Sequence, residues 1–425
     1  MGGGHLPALG QKMSNHDVED GGTLPAPSHR PARRIASKIV LRLLMLLVAA
    51  IIVAVSSLWF QSKRPLRLPP PTGPFAVGRL RYELAEPLSV DPTAPDAHRG
   101  RRLVLWIWYP AEAGSGRPAA YVPEPLRSPM RARNGAITNI VIRDNDLVRV
   151  QARTGAKVAG NGRTYPVLLF KSGLGALALD YTTLAESLAS QGYVVVGSDA
   201  PHSSVLTAYA DGSTVGRTSL GHPPADQPSA FEPLVRLWTA DTRYELDALA
   251  RLDAQPAGFL AHRLDLSRVG VLGHSFGGAT AAEFCREEPR CKAAADIDGR
   301  LFGPVARQRL AKPFLFLMSD HSRERDPDAG LVMAQFRAFW SKLPASKRLT
   351  TIRGTRHFNF SDNALRWNRW IGRLAGAVGP LDRRRALAIS ARELDAFFSA
   401  AFRLPHKLSG PEDPAIIHDW KFPQG

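Results

Sequence analysis

Cysteine is almost missing. The 425 residues contain only Cys285 and Cys291, in FCREEPRC. A C-x5-C pair with no third or fourth ligand nearby argues against zinc. Acidic residues are also scarce, with 38 Asp and Glu against 55 Lys and Arg, for a net charge of +17. Yet no dense Lys/Arg run interleaved with aromatics occurs, which argues against nucleic acid as a partner. A basic surface near anionic lipid fits the excess better. There is no internal repeat. The composition is not extreme either: 44% apolar and 22% charged residues exclude a disordered chain. The length allows one large domain or two ordinary ones.

Charge is wholly absent from one stretch. Residues 43–60, LLMLLVAAIIVAVSSLWF, form an uncharged run of 18, about the shortest helix that spans a bilayer core. Arg42 can snorkel, so a transmembrane helix is expected over 39–60, with Trp59 and Phe60 at the far interface. A buried core helix is the other reading, but the run has no polar face and Pro-rich chain follows at once. Arg30, Arg33, Arg34, Lys38 and Arg42 precede the run, and three basic residues follow it closely. The positive-inside tendency then leaves the N-terminus cytoplasmic and exports the rest. The rival is a secreted protein cleaved near Ala54-Val55-Ser56, although the tail of about forty residues before the run is long for a signal peptide. In an exported compartment Cys285 and Cys291 can form a disulfide; two unpaired buried thiols are the alternative.

Residues 1–33 read as a disordered tail and 61–74 as a Pro-rich spacer. Beyond them, short apolar runs alternate with helical periodicity. Strands are expected at 101–110, 165–171, 193–201, 268–272, 291–299 and 312–320, and a last strand with its loop at 348–358. Helices are expected at 179–192, 241–254, 278–286 and 391–402. This alternation predicts an α/β fold, a mostly parallel doubly wound sheet covered on both faces. The stretches 122–163 and 203–238 lack periodicity and read as surface insertions or a lid. Residues 404–425 read as a tail.

RVGVLGHSFGGAT, residues 268–280, sets Ser275 between glycines where a strand turns into a helix. The tip of so tight a turn leaves no bulk two positions to either side, which Gly273 and Gly277 satisfy. This is the G-x-S-x-G nucleophile elbow. The competing reading is a Gly-rich turn with a solvated serine.

A serine hydroxyl needs a histidine as base and a carboxylate to orient it. Active sites of such sheets form at the carboxyl ends of strands. Of His321, His357, His406 and His418, His357 follows the last strand in TRHFNFSD and is the expected base. His321 comes one strand early. The acid candidates are Asp296 and Asp298, ending the strand after the elbow, and Asp320, ending the next. Position alone allows either strand. Oxyanion donors are expected at the N–H of Phe276 and in the loop SGLG, at Leu174.

Six pieces in order (WIWYPA, FKSGLGA, LASQGYVVVGSDAPHS, GHSFGGATAAE, KAAADIDGRLFG and TRHFNFSD) make residues 75–403 resemble one family. It is the α/β-hydrolases of the platelet-activating-factor acetylhydrolase type (plasma, isoform II group), with bacterial carboxylic ester hydrolases and dienelactone-hydrolase-like proteins. The resemblance implies an α/β-hydrolase catalytic domain over 75–403. It implies Ser275 as nucleophile, Asp298 as acid with Asp320 as the alternative, His357 as base, and Leu174 and Phe276 as oxyanion donors. One departure is Ser172, where family members often carry a histidine. The expected function is a membrane-anchored serine carboxylic ester hydrolase working through an acyl-enzyme, without metal or organic cofactor, on short-chain or lipid-type esters. The alternatives are an acyltransferase on envelope components using the same triad, and a non-catalytic binding module on the same scaffold.

Overall fold

The computed structural model describes residues 30–418, apart from 85–87, 97–99, 134, 136–137, 139–140, 161, 225–226, 322–328, 345 and 406–410. Most of the expected disordered tail 1–33, His406 and the last residues of the chain lie outside the described residues. The chain divides into two units, 1–55 and 56–425.

Helix α1 spans Arg30–Ser62. It therefore starts before the end of the stretch read as a tail, because Arg30 to Lys38 continue the helical run of the apolar segment. Leu43, Leu46, Ile52 and Val53 are each more than half exposed on it. Among the described residues this is the one helix long and apolar enough to cross a membrane, over Ser37–Ser62.

The second unit is built on a twelve-stranded sheet. Its strands, in chain order, are β1 (Leu66–Arg67), β2 (Ala76–Glu83), β3 (Val104–Ala111), β4 (Arg117–Ala120), β5 (Val148–Thr154) and β6 (Tyr165–Lys171). There follow β7 (Val194–Asp199), β8 (Leu264–His274), β9 (Cys291–Ile297), β10 (Phe314–Met318), β11 (Arg348–Ile352) and β12 (Ile416–His418). The spatial order is β1-β5-β2-β3-β7-β6-β8-β9-β10-β11-β12, with β4 on β5. From β7 to β11 every neighbouring pair is parallel. β3 runs antiparallel to both its neighbours.

Side chains alternate across the pleat, so each central strand feeds two cores. Trp106, Trp108, Leu168, Phe170 and Val195 enter one cluster, with α2 (Thr182–Ser190) and α6 (Arg383–Ala401) over it through Leu184, Leu188, Leu394 and Phe398. Leu105, Ile107, Val167, Leu169 and Val196 enter the other. That face is covered by α3 (Phe231–Ala254), α4 (Phe276–Glu287) and α5 (Ala329–Lys342), through Leu246, Leu249, Phe284 and Phe339. Two-sided burial is why these strands read as continuous apolar runs.

The aperiodic stretches hold order of their own. Residues 122–163 include the helix Arg127–Arg133 and β5, an edge-side strand that mixes buried, half-buried and exposed residues, which explains its weak pattern. Residues 203–238 include a small hairpin, Leu206–Ala208 with Thr214–Gly216, and the first two turns of α3. In the stretch read as a C-terminal tail, β12 adds an antiparallel edge strand on β11.

Cys285, near the end of α4, is bridged to Cys291, which opens β9, with Cα atoms 5.2 Å apart. Both are fully buried. A bridge closing so short a loop restrains the unfolded chain by about 2 kcal/mol. Replacing both cysteines by alanine should lower the unfolding free energy by that order, read as a lower urea midpoint with an unchanged slope.

Candidate active site

The β8–α4 junction is sterically forced. A Cβ on Gly273 would collide with the Gly277 carbonyl, and one on Gly277 with the Lys171 and Ser172 carbonyls. Between them Ser275 adopts φ 57° and ψ −123°, a conformation that L-residues avoid and that costs about 1–3 kcal/mol. The turn is pinned by Ser275 N–H donating to the Ile297 carbonyl at 2.9 Å, and by Gly278 N–H donating back to the Ser275 carbonyl at 2.9 Å. Ser275 is half-buried, so its side chain keeps access to the surface.

The other expected residues converge on the same end of the sheet. Asp298 follows β9 and His357 opens the turn His357–Phe360 after β11. His357 Nδ1 lies 2.8 Å from Asp298 Oδ2. The second carboxylate oxygen, Oδ1, lies 2.9 Å from His321 Nε2 and accepts the Ser319 N–H at 2.7 Å. Burial alone would raise the Asp298 carboxyl. Hydrogen bonds from His321 and His357, and their charges, outweigh it and hold the carboxyl well below its ordinary range. The acid is thus an anion ringed by donors, able to fix the imidazole and to stabilise its protonated form.

Asp296 and Asp320 go elsewhere. The Asp296 carboxyl packs against Gly278 and Gly299, beneath the first turn of α4. Burial and the neighbouring Asp298 charge push it well above the usual carboxylate range. Asp320 Oδ2 accepts the Gly354 N–H at 2.9 Å, bracing the loop that carries His357. His418 lies on the edge strand β12, near Thr350 Oγ1 at 3.4 Å, and pairs with Glu412.

The loop after β6 abuts the elbow. A Cβ on Gly173 would lie 3.4 Å from Ser275 Cβ, and Gly175 turns at φ 82°. Phe276 is the first residue of α4, so its N–H has no intrahelical acceptor. Leu174 and Phe276 share a small apolar cluster with Phe231, Trp238 and Phe302. Below the loop, Lys171 Nζ is buried between Ser198 Oγ at 2.6 Å and Glu245 Oε1 at 2.7 Å. Among the described residues no group of three or more His, Cys, Asp or Glu side chains is placed to hold a metal ion.

Two residues that sequence reasoning passed over tie these loops together. Gly173 N–H donates to Tyr181 Oη at 3.1 Å. Tyr181 Oη is 2.8 Å from His274 Nδ1, and His274 Nε2 is 2.9 Å from the His357 carbonyl. Burial, then the neighbouring His357, lower the His274 pKa to about 3, so the ring is neutral near pH 7. A carbonyl can only accept, so Nε2 carries the ring proton and Nδ1 accepts from the tyrosine. One directed chain therefore runs from the Gly-rich loop through the elbow to the loop of the base. His274 was visible as the free position of GHSFGG, but nothing in the periodicity around Tyr181 marks it.

Tyr181→Phe would strand the buried Gly173 N–H and His274 Nδ1, a cost of about 1–3 kcal/mol. The expected result is a drop in kcat on the order of 10-fold, with KM little changed, if the chain positions the loops. A lower melting temperature with intact kcat would show instead that it only stabilises the fold.

Relatives share this arrangement's scaffold. The sequence profile of the family "Platelet-activating factor acetylhydrolase, isoform II" matches residues 60–216 and 255–409. Platelet-activating factor acetylhydrolase of Bos taurus is 27% identical over 260 residues, 56% of this chain and 57% of the bovine protein. This chain thus matches little more than half the length of that relative. A probable 1-alkyl-2-acetylglycerophosphocholine esterase of Arthroderma benhamiae is 25% identical over 319 residues, 69% of this chain and 76% of the fungal one. The solved structure of a ferulic acid esterase from Streptomyces cinnamoneus superposes with a TM-score of 0.65 at 25% identity, covering 84% of this chain and 99% of that one. The fold is thus that of an α/β-hydrolase-type esterase, and with more than half of its residues matched the chain belongs to the platelet-activating factor acetylhydrolase, isoform II, family.

Proposed function

We propose that this chain is a membrane-anchored serine hydrolase of carboxylic esters. The observation that carries the reading is the 2.8 Å contact of His357 Nδ1 with a buried, anionic Asp298 beside a serine held in an elbow. Ser275 Oγ attacks the ester carbonyl as His357 Nε2 takes its proton. The N–H groups of Leu174 and Phe276 receive the oxyanion. His357 returns the proton to the leaving alcohol, and water then hydrolyses the acyl-enzyme by the same route.

The relatives' names point to short acyl groups on lipid-type esters. The aromatic cluster beside the serine supports a small acyl pocket. Phe231 and Phe302 stack at 4.8 Å and Trp238 meets Phe276 at 4.9 Å, so the rings fill space a long chain would need. The exposed apolar surface of α1 supports a membrane anchor, since water tolerates no patch of that size on a soluble monomer. The basic residues before it support a cytoplasmic N-terminus, and the disulfide supports an exported body.

The test is hydrolysis of p-nitrophenyl acetate, butyrate and palmitate by the full chain in detergent. Turnover should fall steeply with acyl length. Preference for palmitate would overturn the short-acyl reading, and inertness toward all three would overturn the esterase. Recovery in the soluble fraction after carbonate washing of membranes would overturn the anchor.

A further inference from the structure

The turn that carries Leu174 has a second side. Ala176 N–H donates to the Gly173 carbonyl at 3.0 Å, which closes a turn over 173–176 with Gly175 at φ 82°. The Leu174 side chain joins the aromatic cluster beside the serine. Gly175, one Cα step of about 3.8 Å further on, faces cationic and ring nitrogens instead. A Cβ there would lie 3.0 Å from His222 Nε2 and 3.4 Å from Arg217 Nη1. Arg217 follows the small hairpin Leu206–Ala208 with Thr214–Gly216. A Cβ on the preceding Gly216 would lie 3.6 Å from Nη1 of Arg133, the last residue of the helix Arg127–Arg133. Two guanidinium groups from separate elements thus stand at the rim of this loop, and the steps of the reaction make no use of either.

Neither arginine is neutralised by the fold. Both are exposed, and among the described residues neither has a hydrogen bond or an ion pair. Carboxylates on the flanking elements are engaged elsewhere. Asp211, at the tip of the hairpin, is held by Arg102 at 2.8 Å. Asp146 is shared by Arg127 and Arg131, on the same helix as Arg133. Burial, then the charge of Arg217, lower the His222 pKa, so the cation acts on the ring that lies against Gly175. Planar guanidinium forks with unused donors suit phosphate and carboxylate.

On the esterase reading proposed above, on which this inference rests, the ester carbonyl oxygen sits at the N–H groups of Leu174 and Phe276, with the acyl group among the aromatic rings. The alcohol half then extends past Gly175 toward the arginines. We propose that Arg217 and Arg133 form a subsite for a phosphate or carboxylate on that alcohol, so that this chain prefers short-acyl esters of net-anionic alcohols. A neutral alcohol leaves both guanidinium groups unused. An alcohol whose phosphate also carries a choline cation would bring like charge toward them and is disfavoured.

The test compares kcat/KM of the full chain in detergent for acetylglycerol, acetylglycerol 3-phosphate and acetylglycerophosphocholine, and for O-acetylglycolate against its neutral methyl ester. Each anionic ester should be preferred over its counterparts by about 10-fold, the low end for charge-assisted hydrogen bonds because the site is exposed. Arg217→Gln should remove most of that preference, and Arg217→Lys should remove less. Arg133→Gln should reduce it by a smaller factor than Arg217→Gln. Arg268→Gln, which removes a surface cation paired with Asp265, should leave it unchanged. Melting curves identify any variant that has unfolded. The glycerol series repeated with an alkyl ether chain distinguishes the sources of the anion. A preference confined to the alkylated esters assigns the subsite to a lipid headgroup, and one present in both series assigns it to a soluble anionic alcohol. Equal rates for anionic and neutral esters, a preference for the phosphocholine ester, or a preference unaltered when both arginines are replaced by glutamine would overturn the subsite while p-nitrophenyl acetate is still hydrolysed. Inertness toward p-nitrophenyl acetate as well would overturn the esterase, and the subsite with it.

Discussion

Ser275→Ala should lower kcat/KM for the preferred p-nitrophenyl ester by a thousandfold or more, the order seen when a hydrolase triad loses a member. The site offers no substitute nucleophile in the elbow. Gly273, Gly277 and Gly278 have no side chain, and His274 is turned away, with both ring nitrogens engaged by Tyr181 and the His357 carbonyl. What remains is the oxyanion loop and binding, which leave a residual rate above that of water. The protein should not be destabilised. Ser275 is held by its backbone, through the Ile297 and Gly278 hydrogen bonds, and alanine retains both. Its φ of 57° is strained for serine and alanine alike. The melting temperature should therefore stay within about 2 °C, since surface-accessible changes of this kind usually lie within about 0.5 kcal/mol. An alanine variant as active as the wild type would show that another group attacks the ester.

The readable and unreadable parts of this molecule differ for physical reasons. The parallel core, β6 to β11, was legible because strands buried on both faces must be apolar throughout and are separated by helices. The elbow was legible because its geometry forbids a Cβ at Gly273 and Gly277, a constraint written in two letters of the sequence. The choice among Asp296, Asp298 and Asp320 was not legible from spacing. Asp296 and Asp298 share one strand's parity, and only the family resemblance favoured Asp298. The left-handed turn at Asp298, φ 52°, rotates its carboxyl toward the histidines while Asp296 stays beneath α4. Edge elements were poorly legible. β5 and β12 bury too little to impose a pattern, and α3 begins at Phe231 rather than 241 because its first turns bury Phe231, Leu234, Val235 and Trp238 beside the elbow. The second histidine on Asp298 was weighed only as a base. Its place on Oδ1 depends on how the loop after β10 curls back, which no local motif records.

Asp298→Asn should be nearly as damaging to turnover as loss of the serine, on the order of 10³- to 10⁴-fold in kcat, with KM little altered. An amide presented to His357 Nδ1 can donate where the carboxylate could only accept. The ring then takes the tautomer with its proton on Nε2, and in that form it cannot receive the proton of Ser275. The two-histidine arrangement sharpens the expectation. Oδ1 of Asp298 also takes the Ser319 N–H and His321, so an asparagine must point its NH₂ at one histidine or the other. The backbone N–H of Ser319 can only donate, so it holds the amide oxygen at Oδ1 and aims the NH₂ at His357. The same ring of donors sets the acid limb of stability. With its folded pKa held well below the usual value, Asp298 contributes stability that is present above the unfolded carboxylate range, near pH 4, and is lost as pH falls through the folded value. Neutral asparagine removes that contribution, so below about pH 4 the variant should lose less further stability than the wild type as acid is added. Chemical denaturation between pH 3 and pH 7, alongside kcat at pH 7 and above, separates the two roles. A variant with intact kcat would release Asp298 from the triad. One with lost kcat but the wild-type acid limb would leave the orienting role and assign the acid sensitivity to other groups, of which buried His274, losing stability as pH falls from about 6.5 toward about 3, is the first to examine.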